Sequence, residues 1–400
     1  PVRSLAAFEK SPDPDDWRDL MRLYMVRRTR GFIVQNYART DPEVQRQYLQ
    51  FADGRKSYFP ARLPRNVKFT IDDADPADPY GRLYSHQVVN TINALTLPRY
   101  GLGNYLAPRP KTPPTPQQAA IISGLSRAGS RLMGFCRTNL FKRLESAGPA
   151  FLLSIERHVL RNFVFLHALE NGLDLPLGTQ GAELLDSRYE DEDAEEALEA
   201  EDDDEVIVDP PRPLAGEGPG VRASGGNGGV GLRAEADFRA RAAEAYAAYQ
   251  SSYKKRFKWL SGSLFAKTLA RHLLQDARAL IAVLDYCGAW EPARDAKLAE
   301  LRQLAAERHG QEKLLIFTQF ADTARYLRSQ LQTLGVQGVE AVTGKSLNPT
   351  ELAWRFSPGA NGKRDLITPR PVEEGLGVRG ELRILIATDV LSEGQNLQDC

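Results

Sequence analysis

Residues 311–344 read QEKLLIFTQFADTARYLRSQLQTLGVQGVEAVTG and residues 382–390 read LRILIATDV. LLIF at 314–317 is a short apolar run of the kind that fills a buried strand. ADTARYLRSQLQTL at 321–334 then changes to a helical period and stops at Gly335. VEAVTG at 339–344 and LRILIATDV at 382–390 return to strand character. Strands alternating with helices predict an α/β fold with a parallel sheet. RDAKLAELRQLAAER at 294–308 is an amphipathic helix leading into it, so this segment is taken as residues 291–400.

Upstream the pattern is mainly helical. Residues 16–34, DWRDLMRLYMVRRTRGFIV, carry apolar residues at helical spacing and end on Arg27, Arg28 and Arg30. Residues 35–115 mix polar, aromatic and Pro-rich stretches and close on PRPKTPPTP, a linker that no helix can cross. Residues 116–170 recur apolar at three and four with a break near Gly148-Pro149, and 233–288 form a second helical region. Between them, EDEDAEEALEAEDDDE at 190–205 and the Gly/Pro-rich residues 210–231 lack the apolar content to offset the entropy of ordering, and a disordered insertion is expected. The resulting domains are 1–40, 41–182, the linker 183–232, 233–290 and 291–400.

The formal charge of zero, 52 Lys+Arg against 52 Asp+Glu, is a sum over unlike parts. The 16 residues at 190–205 hold 12 acids and no base, which leaves 52 bases against 40 acids elsewhere. A polyanionic partner therefore stays open, with the acidic run as a tether that could compete for the same surface. No apolar run reaches the roughly 20 residues of a membrane span, and Cys136, Cys287 and Cys400 have no metal or disulfide spacing. A cytoplasmic protein with no membrane partner is expected. The start at Pro1 and the stop at Cys400, directly after a strand pattern, suggest a piece of a longer protein.

Thr343-Gly344-Lys345-Ser346 contains the G-K-S that ends a phosphate loop, but such a loop needs a glycine at 339, where Val339 stands. Taken together, residues 311–400 make a different case. Phe317-Thr318-Gln319-Phe320, Thr343-Gly344, Phe356-Ser357-Pro358 and ATDVLSEGQNLQ at 387–398 come in the order seen in the second motor lobe of superfamily-two helicases and translocases. The chain resembles the Swi/Snf-type and bacterial RNA-polymerase-associated branches of that family, and MVRRTRGF at 25–32 is similar to the signature that closes their first lobe.

The resemblance implies a RecA-like C-terminal helicase lobe preceded by a helical insertion, in a parent that is an ATP hydrolase moving on nucleic acid, double-stranded DNA in first place. It implies nucleic-acid contacts at Thr318, Gln319, Gly344, Lys345 and Thr388. Glu393, Gly394 and Asn396 would approach ATP, with Mg²⁺ held on the first lobe. No catalytic or metal-binding residue is assigned within the chain. RNA polymerase or a defence or repair complex are further expected partners. The alternative is a non-catalytic module binding nucleic acid or RNA polymerase and keeping a degenerate motor lobe as a scaffold.

The remaining basic and histidine residues have bland readings. Tyr253-Lys254-Lys255-Arg256-Phe257-Lys258-Trp259 suits phosphate neutralisation and base stacking, and the favoured reading is a helix with a buried aromatic face and a solvated basic one. Arg137, Lys142 and Arg143 are treated alike, as a solvated basic face, and the five histidines are read as surface or core-edge groups. The copies PRPLAGEGPGVR at 211–222 and PRPVEEGLGVR at 369–379 are read as a duplicated surface insertion.

Overall fold

Three four-residue strands rich in Leu, Ile and Val come together in a computed structural model of the 400-residue chain. It describes residues 30–59, 63–110, 112–125, 129–177, 234–251, 254, 257–344, 346, 348–364, 381–388 and 397. The acidic run, both P-R-P copies and residues 16–29 lie outside that set. Two compact units are present, Pro1–Val67 and Lys68–Cys400.

In the first unit, helix α1 (Arg30–Tyr37) precedes three short antiparallel strands, β1 (Arg39–Thr40), β2 (Gln47–Gln50) and β3 (Lys56–Tyr58), in the order β1-β2-β3. Asp53-Gly54, with Gly54 at φ +84°, turns the β2–β3 hairpin. Asp41 organises the sheet: its carboxylate accepts from Lys56 Nζ at 3.1 Å, from the Tyr58 hydroxyl and from the Glu43 N–H at 3.0 Å. The Tyr58 hydroxyl first, then Lys56 and the Glu43 amide, hold its pKa well below the usual carboxylate range. A folded pKa below the unfolded value adds stability that is complete above about pH 4 and is lost as the pH falls through the folded value. Acid titration followed by Tyr48 and Tyr58 signals should therefore show this unit loosening only well below pH 4. In Asp41→Asn that acid-sensitive step should be missing, and a loosening that begins at pH 5 or above would contradict it.

The second unit is mainly helical up to residue 303. Helices α2 (Pro79–Leu83) and α3 (His86–Ala94) start on the caps Asp78 and Ser85, whose side chains accept backbone N–H bonds. They fall within the mixed stretch 35–115: Tyr80, Leu83, Val88 and Ile92 are buried, and this core contact outweighs the turn-rich composition around them. A 3₁₀ segment, Pro98–Tyr105, follows. Helix α4 (Pro116–Gly124) begins on a Thr115–Gln118 capping box, and then come α5 (Gly129–Ser146) and α6 (Gly148–Glu170). The break at Gly148-Pro149 falls where the sequence places it.

Strand β4 (Asp174–Leu177), helix α7 (Glu235–Ser251), strand β5 (Lys258–Ser261) and helix α8 (Lys267–Cys287) complete this part. Phe151, Ile155, Val159 and Phe163 recur every fourth residue on α6. They pack with Phe238, Ala242 and Tyr246 of α7 and Leu269, Leu273, Ala277 and Leu280 of α8. Each such aromatic or large aliphatic side chain contributes about 1.5–3 kcal/mol when fully buried.

β5 pairs antiparallel with β4, Leu175 opposite Leu260. The expected helix across 253–259 is thus overturned at Lys258 and Trp259. Leu260 is fully buried opposite the buried Leu175, and Trp259 meets Tyr246 edge-on at 5.9 Å. His158 is also not peripheral: it is buried on α6, with Arg99 Nη2 at 3.1 Å from its Nδ1.

Helix α9 (Ala296–Gln303), N-capped by Asp295, runs through a π-helical turn at Leu304–Arg308 into the sheet. Strand β6 (Leu314–Phe317), helix α10 (Ala321–Thr333), strand β7 (Val339–Val342), helix α11 (Pro349–Phe356) and strand β8 (Ile384–Ala387) give a three-stranded parallel sheet in the order β6-β8-β7. α10 closes on Gly335, at φ +83°, as the sequence predicts. The α/β reading of this segment holds at that level, a small parallel sheet with helices. Among the described residues no helix is long and apolar enough to cross a membrane.

Candidate functional site

Register decides what stands at the carboxyl edge of the sheet. Phe317, Ala387 and Val342 are the last partners across β6, β8 and β7, so the residues that follow, Thr318, Thr388 and Thr343, form a row. The ladder runs one step further into it: the Thr318 N–H donates to Ala387 O and the Thr388 N–H to Val342 O, each at 3.0 Å. With neighbouring strands about 4.8 Å apart, three threonines lie within roughly 10 Å. Ligands of open parallel sheets bind outside this edge.

Exposure differs along the row. Gln319 and Gly344 are exposed, Thr318 is half-buried, and Thr343 and Thr388 are buried. Ser346 closes the turn after Thr343, its Oγ accepting from the Thr343 N–H at 3.0 Å. Of the residues singled out from sequence, Thr318, Gln319, Gly344 and Thr388 are therefore brought to one edge. Lys345, Glu393, Gly394 and Asn396 lie outside the described residues. Thr343 was passed over, and the recurrence of Thr directly after each apolar strand is the signal that identifies it.

The helical part reaches this edge through α5 and α6. Ser146, the last residue of α5, places its Oγ at 2.8 Å from Thr323 Oγ1 and 3.3 Å from Thr318 Oγ1. Beside it Asp322, in the first turn of α10, accepts from Arg143 Nη1 at 2.9 Å, from Arg157 Nη1 at 2.7 Å and from Arg325 Nη1 at 3.1 Å. The side chains of Asp322 and Arg143 are only 5% and 6% exposed. Arg143 also lies over the Phe320 ring at 5.0 Å. This corrects the reading of Arg143 as part of a solvated basic face. A guanidinium can be buried when a carboxylate of fixed geometry receives it, and that carboxylate is 179 residues away in the chain.

Lys297 of α9 donates to the carbonyls of Glu145 and, at 2.8 Å, Ser146, closing the C-terminal end of α5. Burial pushes its ammonium pKa down, against the pull of Asp295 and Glu145. A second contact holds the same helices. Gly148 opens α6 directly beneath the Trp290 ring, Trp290 Nε1 donates to the Tyr326 hydroxyl at 3.0 Å, and Tyr326 donates to Asp295 Oδ2 at 2.7 Å. Next to the row, a cleft of about 530 Å³ is lined by Arg325, Arg328, Glu340, Thr343, Ser346 and Glu351, with Arg328 Nε bonded to Glu340 at 2.8 Å.

The half-buried Thr318 hydroxyl and the exposed Gln319 and Gly344 are the groups at this edge that could donate to an anionic oxygen, the guanidiniums beside them being held by Asp322 and Glu340. Comparison of the chain with protein-family models, with curated proteins and with solved structures finds no match in any of the three.

Proposed function

We propose that the chain is the second-lobe part of an ATP-dependent translocase of the superfamily-two helicase type, a RecA-like lobe with a helical insertion, acting on double-stranded DNA. The row of threonines carries the reading. It sets Thr318-Gln319, Thr343-Gly344 and Thr388, three pieces of the motif set met in the sequence, side by side on the edge where such a lobe would track a strand. The residues proposed to approach ATP are Glu393, Gly394 and Asn396, with Mg²⁺ on the first lobe, and the reading rests on the strand-binding edge alone.

Contact is through backbone phosphates, so affinity should be indifferent to sequence and fall log-linearly with salt. Anisotropy of labelled duplexes of unrelated sequence provides the measurement. Lys345→Ala should weaken binding equally for all of them and reduce the salt slope by about 1. A chain that binds no duplex at low salt, or an unchanged slope in the variant, would sink the proposal.

A further inference from the structure

The first unit holds a surface that the sheet edge does not explain. Residues 30–67 contain seven Lys+Arg, three Asp+Glu and six aromatic residues within a chain whose net charge is zero. In the structure these types are paired in space. Lys56 Nζ stands 4.8 Å from the Tyr48 ring centroid, the Arg46 guanidinium 5.5 Å from Tyr58 and the Arg55 guanidinium 5.9 Å from Phe51.

The register explains the first two. Tyr48 and Tyr58 are direct cross-strand partners, with ring centroids 5.5 Å apart, and Lys56 lies two residues along on the same face. Phe51 is different. It sits at the β2–β3 turn, its N–H donating to Arg55 O at 3.0 Å, and is 51% exposed. The hairpin tip thus presents a half-exposed aromatic ring with a guanidinium beside it, the pairing on which an unpaired base can stack.

We propose that this hairpin is a docking surface for single-stranded nucleic acid, with Phe51 taking an unpaired base on its ring and Arg46 and Arg55 neutralising backbone phosphates. Charge selects the polyanion, since residues 30–67 carry a net +4. Ring and guanidinium planes select unpaired bases, because every base has a π-face to offer and a duplex hides it. Lys56 is tied to the buried Asp41 and supports the sheet rather than the strand, whereas Arg55 is bonded to Asp53 at 2.6 Å in an exposed pair, of the weak kind that a phosphate can replace.

The proposal does not depend on the reading of the sheet edge, and the test separates them. The 400-residue chain is titrated with a labelled oligothymidylate and with a duplex of equal length, as wild type, Phe51→Ala, Arg46→Ala/Arg55→Ala and Lys345→Ala. Phe51→Ala should weaken single-strand binding by about 5- to 100-fold, the range for one stacked base, and leave duplex binding within about twofold. The double arginine variant should lower the single-strand salt slope by about 1.4.

Because Phe51 is exposed, circular dichroism should be unchanged, and sedimentation of wild type and Phe51→Ala runs alongside. Single-strand affinity unaltered in both variants overturns the proposal. So does a dimer that Phe51→Ala dissociates, which would assign the tip to a second copy of the chain.

Discussion

Asp322→Ala is expected to destabilise the Lys68–Cys400 unit by about 3–5 kcal/mol, the cost of breaking a buried ion pair from one side. The carboxylate receives three guanidiniums, and two of them, on α5 and α6, are drawn into the interior by it. Removing it leaves Arg143, 6% exposed, without the fixed carboxylate it was buried against. The three arginines should not count alike. Arg143→Ala should cost most and Arg325→Ala, whose side chain is 41% exposed, less than about 1 kcal/mol. Asp322→Ala combined with Arg143→Met should recover part of the loss, since an apolar pair of similar volume removes the orphaned charge. Urea unfolding of the four variants measures this. A loss below about 1 kcal/mol for Asp322→Ala, or equal costs for the two arginines, would show that the cluster does not hold α5 and α6 to the sheet.

Gly148→Val should be as damaging, for a reason of space alone. A Cβ at this position would lie 2.2 and 2.3 Å from two atoms of the Trp290 ring and 3.0 Å from Leu83 Cδ1. The ring has little room to yield: its Nε1 is bonded to Tyr326 and its edge meets the Tyr80 ring at 5.3 Å. Overpacking a filled site costs about 1–3 kcal/mol, and a branched side chain on a Cβ already in collision should sit at or above the upper figure. Thermal unfolding followed by circular dichroism reports the loss. Trp290→Ala in the same chain should restore much of the stability lost to Gly148→Val; failure of that rescue, or a wild-type melting point in the single variant, would refute the steric account.

The parallel sheet was legible because its strands are short apolar runs ended by Thr and separated by one amphipathic helix, a local pattern that survives without context. The helix break at Gly148 and the stop at Gly335 were legible for the same reason. What escaped were features created by partners distant in the chain. Nothing near Arg143 announces a carboxylate at 322, and nothing near Ser146 announces Thr318. β5 escaped because Lys and Arg around Phe257 and Trp259 imitate a helix face, and only the pairing with β4 reveals a strand. The hairpin of the first unit went unread: Asp53-Gly54 is a turn signal, but the strands around it are two to four residues long, too short to set a period.

The order β6-β8-β7 has a consequence for how the molecule comes into being. Of the three described strands of this sheet the central one is the last to leave the ribosome, and β6 and β7 make no ladder with each other. Until Ile384–Ala387 is synthesised, both outer strands wait with their backbone donors and acceptors open on the inner side, about 40 to 70 residues after their own translation. Sheet closure therefore waits for the synthesis of Ile384–Ala387 and is paced by elongation rather than by local folding. During that interval α10, already able to form, is the nearest apolar cover available to the waiting strands.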